Sequence, residues 1–284
     1  MSKDHPDSER FRPYRIDLEP NLFSLMRQAL GFDYDDALQT GQGQSLFWPG
    51  CALSSYSQDL TLTVYDYLKG QGLVDALSVS CCGDAIRHAG GPDVFKAYTQ
   101  ELTERLLAQG VTRLVVACPN CYRRFRDILK DNPQIELMDL PTVLMQKGIK
   151  VTPQALRGKE TVCIHDSCPD RRYHIMAPAV RQLFTQVELR EMAHNQQHSH
   201  CCGMGRLRFV DDPQGSERRR TSRIKEFEET GADQLVTYCV SCANAFQDAD
   251  SGVRALHYLE LLFAIRIDWD AVFQASQQAM STWE

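Results

Sequence analysis

The sequence has no long hydrophobic run. Its apolar stretch at Leu259–Ile265 is far short of the roughly 20 residues that a membrane-spanning helix needs. Basic residues are not in excess: the formal net charge is -6, which excludes the positive footprint of a nucleic-acid binder. The segment Met1–Leu30 is charged and lacks the apolar core of a secretory leader, so a cytoplasmic location is expected. Composition is otherwise ordinary for a soluble globular protein, with 43% hydrophobic and 24% charged residues. A length of 284 residues allows two domains, each with its own core.

What the chain has in excess is cysteine. Eleven is high for an intracellular protein. Disulfide frameworks of secreted proteins are usually smaller and even in number, whereas thiols kept reduced are more often metal ligands. Setting Cys163 aside leaves two groups. Cys51, Cys81, Cys82, Cys118 and Cys121 read C, 29 residues, CC, 35 residues, C-x-x-C. Cys168, Cys201, Cys202, Cys239 and Cys242 read C, 32 residues, CC, 36 residues, C-x-x-C. Random placement would give about 0.4 CC pairs, yet two occur, each followed by glycine, Gly83 or Gly203. Gly110, Leu114, Val115, Cys118 and Cys121 recur as Gly231, Leu235, Val236, Cys239 and Cys242, always 121 positions later. This pattern implies a duplicated domain.

Strand and helix patterns alternate around the cysteines. Strands are expected at Ser45–Trp48, Ala76–Ser80, Arg113–Ala117 and Ile135–Asp139, then at Thr161–Ile164, Val187–Met192, Gln234–Tyr238 and Val253–Leu256. Helices are expected at Asn21–Leu30, after Cys51, from Pro92 to Gly110, after Cys121 and at Ser216–Thr230. The expected fold class is therefore α/β: two tandem Rossmann-like lobes with parallel sheets, related by internal duplication. An N-terminal extension would occupy 1–44, the first lobe 45–150 and the second 151–284, with a linker near 147–160.

Each cysteine group follows a strand end, which is the ligand-binding rim of a parallel α/β sheet. The C-x-x-C pairs also stand at helix starts, where the dipole favours thiolates. A CC pair within a strand would point to opposite faces; a turn at Gly83 or Gly203 lets both sulfurs face one cofactor. Adjacent thiolates would crowd a single ion and fit better on different irons of a larger cluster. All-thiolate sites favour iron–sulfur clusters or zinc. One zinc per lobe would use four cysteines and leave one over. A thiol–disulfide module would not explain the CC pairs.

The complete pattern, C, CCG and C-x-x-C twice over, resembles the cysteine-rich CCG domain family and spans about residues 45–265. Two such domains in one chain resemble the B subunit of heterodisulfide reductase. Relatives include iron–sulfur subunits of glycolate oxidase and lactate-utilisation systems. The resemblance implies that the ten cysteines ligate two non-cubane [4Fe-4S] clusters, with a disulfide cleaved between the lobes. It also implies an electron-delivering partner, a ferredoxin-type or flavoprotein subunit, because the ferredoxin-type C-x-x-C-x-x-C-x-x-x-C-P run of many relatives is missing. Attachment to a membrane complex would come through such a partner. A non-catalytic relay for a flavoprotein dehydrogenase and a zinc-stabilised scaffold remain as alternatives.

Among the other residues, Cys163 reads as a buried strand cysteine. His88 and His200, beside the CC pairs, are candidate catalytic proton donors, against an ordinary solvated role. His165 and Asp166 precede Cys168 at a strand end, where a proton relay would fit. Arg123, Arg124, Arg126, Arg171, Arg172, Arg206 and Arg208 follow cysteine motifs. They could offset an anionic cluster, hold an anionic thiol, or simply form solvated faces. Arg218, Arg219 and Arg220 lie mid-helix and receive no role.

Overall fold

The computed structural model describes residues 9–34, 43–247 and 251–284. Residues 1–8 and 35–42 of the N-terminal extension lie outside the described residues. The chain divides into two compact units, one of residues 1–116, 124–137 and 267–284, the other of 117–123 and 138–266.

In chain order, the first elements are α1 (Leu22–Ala29), β1 (Ser45–Trp48), α2 (Cys51–Tyr56), α3 (Gln58–Gly70), β2 (Ala76–Leu77), α4 (Gly91–Ala108), β3 (Arg113–Val116), α5 (Pro119–Ile128) and β4 (Glu136–Asp139). Then come α6 (Leu140–Gln146), β5 (Thr161–His165), α7 (Met176–Leu183), β6 (Glu188–Leu189), α8 (Pro213–Thr230) and β7 (Gln234–Thr237). The last are α9 (Val240–Ala245), β8 (Leu256–His257), α10 (Tyr258–Leu262) and α11 (Trp269–Met280).

Two four-stranded sheets result, ordered β2-β1-β3-β4 and β6-β5-β7-β8. The orders are the same once equivalent strands are matched, and the strands pair in parallel. The duplication inferred from the cysteines is therefore a duplication of topology. The central strands β1, β3, β5 and β7 are short apolar runs that bury nearly every residue, as expected of a parallel sheet covered on both faces.

The expected strands exist, with edges that differ. Ala76–Ser80 shortens to Ala76–Leu77 and Val187–Met192 to Glu188–Leu189. Both are edge strands with a partner on one side only. The last strand starts at Leu256 rather than Val253, because Arg254 instead forms an antiparallel bridge with Gln247.

Register positions the cysteines. In the first sheet Ser45 pairs with Arg113 and Trp48 with Val116, so the chain leaves β1 and β3 at the same end. Cys51 and Cys118 follow those strand ends by three and two residues. In the second sheet Ile164 pairs with Val236 and His165 with Thr237; Cys168 and Cys239 follow.

Each unit has its own core. In the first, Trp48 meets Phe125 edge-on at 4.8 Å, and Phe47, Leu60, Val64 and Leu68 are fully buried as well. Helix α11 packs on α1 in that unit. Asn21 caps α1 by accepting from the N–H of Phe23 and Ser24. In the second unit, Cys163 lies in a cluster with Ile224, Leu235 and Phe246. Among the described residues, no helix is long and apolar enough to cross a membrane.

Candidate metal centre

The cysteine groups of the second unit converge. Cys201 is in hydrogen-bonding contact with both Cys168 and Cys202, and Cys242 with both Cys202 and Cys239. The Cys202 and Cys242 sulfurs are 3.2 Å apart. The five sulfurs thus form an unbroken chain in the order 168, 201, 202, 242, 239. A Cβ placed on Gly205 would touch the Cys201 and Cys168 sulfurs at 3.6 and 3.8 Å, so these two flank the same backbone.

The turn at the CC pair depends on Gly203, whose φ is +101°; an added Cβ would lie 2.6 Å from the Ser216 carbonyl oxygen. Here glycine provides both the left-handed conformation and the close approach of α8. The Gly203 N–H donates to the Cys201 sulfur at 3.3 Å. Hydrogen bonding from Cys168, then from Cys202, holds the Cys201 thiol far below its ordinary pKa. Cys239 is pulled down to about 7, first by Cys242. Cys168, Cys202 and Cys242 are pushed up, chiefly by the thiols they contact. The protons are therefore shared along a chain of sulfurs, and a metal would displace them.

His165 adds a second sign of a metal centre. It is fully buried, and a ring nitrogen lies within 4.8 Å of the Cys202 and Cys242 sulfurs. Arg223 Nε donates to its Nδ1 at 3.4 Å, which leaves the proton on Nε2. That Nε2 has no hydrogen-bond partner among the described residues. Burial lowers its pKa to about 3, so the ring is neutral. A soft five-sulfur set beside a buried neutral imidazole whose N–H is unpartnered fits an iron–sulfur group.

In the first unit Cys81 contacts Cys51 at 3.5 Å and also Cys82. Gly83 has φ +85°, and an added Cβ would meet the Tyr98 ring at 2.8 Å. The Tyr98 hydroxyl donates to the Cys81 carbonyl at 2.8 Å and so holds the turn. Cys118, half-buried, and Cys121, buried, lie in the 117–123 stretch that belongs to the second unit, at the start of α5 directly after β3. Cys163 is buried within β5, and burial pushes its thiol up to about 12.

The histidines differ. His88 is half-buried on the one-turn helix Ile86–Ala89. His200 is half-exposed, stacked on His194 with ring centroids 3.9 Å apart, and its Nδ1 is 3.6 Å from Glu226. Burial, then the neighbouring His194, lowers its pKa. Glu226 also accepts from Arg223 Nη1 at 2.7 Å and from the His194 N–H at 3.0 Å. With the fully buried Arg223 on it, Glu226 locks the loop before Cys201 rather than offering itself to a cation.

Sequence reasoning missed this polar network. Asp166, 1% exposed, takes a two-pronged contact from Arg181 at 2.8 Å on each oxygen. Its backbone carbonyl accepts from the Ser199 hydroxyl at 2.6 Å. Charges on α7 and α8 read as solvated faces because nothing in a helix sequence marks which of them turns inward. Of the arginines that follow cysteine motifs, Arg124 is buried over the Phe95 ring at 4.2 Å and bonds Thr99. Arg171 donates to the Ser199 carbonyl at 3.0 Å. Arg172 stacks on Tyr173 at 5.4 Å. Arg218 and Arg219, to which the sequence assigns no role, line a cavity beside Cys201.

Comparison with known proteins follows the same lines. A chain of the Methanosarcina acetivorans dihydromethanophenazine:CoB–CoM heterodisulfide reductase is 26% identical over 187 residues, 62% of this chain and 46% of that one. The Bacillus subtilis protein named "probable glycolate oxidase iron-sulfur subunit" is 23% identical over 237 residues, 76% of this chain and 53% of that one. The chain thus spans about half the length of these curated relatives. A Bacillus anthracis glutamate racemase structure gives a TM-score of 0.36 at 16% identity over 84% of this chain and 81% of that one, a likeness too slight to bear on function. The cysteine-rich domain, CCG, matches residues 45–126 and 162–247, more than half of the chain. Those two segments contain the two cysteine groups, and the chain belongs to the CCG cysteine-rich domain family.

Proposed function

We propose that the chain is an iron–sulfur redox subunit of the heterodisulfide-reductase type, reducing a disulfide or a related bond. In this reading Cys51, Cys81, Cys82, Cys118 and Cys121 hold one four-iron cluster of the non-cubane kind. Cys168, Cys201, Cys202, Cys239 and Cys242 hold a second. The observation that carries the reading is the unbroken chain of five sulfurs in the second unit. One zinc takes four ligands and would leave a sulfur unused. The relatives named as heterodisulfide reductase and glycolate oxidase iron–sulfur subunits support the redox class.

When bound, such clusters supply electrons at potentials set by hydrogen bonds and burial. The chain's own residues keep the thiolates together, exclude water from the buried sulfurs and offer protons. His200, beside Cys201, and His88 are the proton donors for a leaving thiolate. Electrons come from a ferredoxin-type or flavoprotein partner. The thiols require a reducing compartment, the cytoplasm.

A second reading, a relay without substrate chemistry, draws on the 76% of the chain that aligns with the glycolate oxidase protein. Two measurements on anaerobically purified protein separate the possibilities. About eight irons and eight sulfides per chain are expected for two four-iron clusters. Reoxidation of the reduced protein by a disulfide supports the catalytic reading; a reduced form indifferent to every disulfide tried leaves the relay. Colourless protein with stoichiometric zinc sinks both.

A further inference from the structure

A cavity of about 410 Å³ opens beside the second cysteine group. Its size is in the range that holds small ligands. Gly215, Arg218, Arg219 and Ser222 line it from a single face of α8, at helical spacings of three and four. Arg171, His200 and Cys201 line it from the loops after β5 and β6. Three guanidinium groups therefore face one small volume in a protein whose net charge is -6.

Little inside the unit offsets them. Arg218 has no hydrogen-bond or ion-pair partner among the described residues. Arg219 is 3.6 Å from Asp212, and both side chains are about two-fifths exposed, 44% and 38%, so the pair is a weak surface contact. Arg171 spends one nitrogen on the neutral Ser199 carbonyl. Arginines that served only to offset the cysteine group would not need a cavity between them and the sulfur. No acidic residue lines the cavity among the described residues, so its three guanidinium groups mark a site for an anion, with Cys201 and His200 at its wall.

We propose that this cavity binds a small molecule through its carboxylate, phosphate or sulfonate group, held by Arg218, Arg219 and Arg171, with the remainder of the molecule set against Cys201. That the molecule is a redox substrate rests on the function proposed above; the anion binding itself does not. The cavity then selects for charge: a neutral molecule of the same size loses the guanidinium contacts.

The test is calorimetric titration of the full-length, anaerobically purified protein in its oxidised state, with no electron donor present. The probes are 3,3′-dithiodipropionate, which is dianionic, and bis(2-hydroxyethyl) disulfide, which is neutral. The dianion is expected to bind about tenfold or more tightly than the neutral compound. Arg218→Gln with Arg219→Gln removes about that factor. Both side chains are on the cavity face of a helix, and unchanged iron content and circular dichroism check the fold. Raising salt provides a readout without mutation, because it weakens the dianion and spares the neutral probe.

Equal affinity for the two probes, no binding of either, or unchanged affinity in the double variant overturns the proposal. Its failure is separable from that of the redox reading. If the dianion binds through the arginines but the reduced protein never reduces it, the cavity stands and disulfide reduction falls. If both disulfides are reduced with the same KM by wild type and double variant, disulfide reduction stands and the cavity falls.

Discussion

The sulfurs of Cys202 and Cys242 lie 3.2 Å apart, although 40 positions separate them in the chain. Parallel strands make this possible: the loop after β6 and the turn after β7 open at one rim of the second sheet. If the group binds a cluster, Cys242→Ser should lower the iron content by about four per chain, from about eight. Cys163→Ser, equally buried but outside the sulfur chain, should leave it unchanged. Iron and sulfide assays on the two anaerobically purified variants decide the matter.

The two CC turns should differ in tolerance. An alanine Cβ at Gly203 meets the Ser216 backbone at 2.6 Å, whereas at Gly83 it meets the Tyr98 ring at 2.8 Å. A ring can swing aside, at the expense of its hydrogen bond to Cys81; a helix backbone cannot move as cheaply. Both substitutions also place alanine at positive φ. Thermal melts should show Gly203→Ala destabilising by about 3 kcal/mol or more and Gly83→Ala by about 1–3 kcal/mol. The reverse order would mean that α8 yields to the turn after Cys202 more readily than the Tyr98 ring yields to the other.

The cysteine spacing makes the site legible because strand ends fix where ligands emerge. Both sheets and their duplication follow from five residues repeated at one offset. The edge strands β2 and β6 are shorter than their sequence patterns, since a sequence does not reveal that a strand has one neighbour. The packing of α11 on α1 is invisible for a related reason: an amphipathic helix announces an apolar face, not its partner. The buried charges of Arg181, Arg223 and Glu226 are unreadable because solvated and inward-turned charges look alike in a helix. His165 reads as a possible relay from its place before Cys168, but only the fold brings its ring beside the sulfurs.

The Asp166–Arg181 pair should be a large contributor to the second unit. Asp166 is almost wholly buried, and Arg181 contacts both its oxygens. Arg181→Met leaves that carboxylate with the Gln196 N–H at 2.6 Å and the Tyr238 hydroxyl at 3.4 Å. We expect a loss of about 3–5 kcal/mol in chemical denaturation. Adding Asp166→Asn should recover part of it, because the stranded charge is gone. Simple additivity of the two losses would show that the pair contributes nothing as a pair. Because Asp166 also anchors Ser199, Arg181→Met should loosen the loop before Cys201 and reduce iron content as well.

Stability should fall below neutral pH through His257. It is 2% exposed, and burial lowers its pKa to about 3. The unfolded chain takes up a proton near pH 6.5, but the folded ring stays neutral until about 3. Between those values the unfolded state binds more protons, so stability is complete above about 6.5 and declines as pH falls, by up to about 1.4 kcal/mol per pH unit. Replacing the ring removes this slope while losing its packing. The stability gap between wild type and His257→Asn should therefore be widest near pH 7 and narrow by about 2 kcal/mol on going to pH 5. Guanidinium denaturation of both proteins at the two pH values measures it. Taking the difference cancels acid effects common to both, including those of the equally lowered His165. A gap that stays constant would mean that the folded chain protonates His257 as readily as the unfolded one.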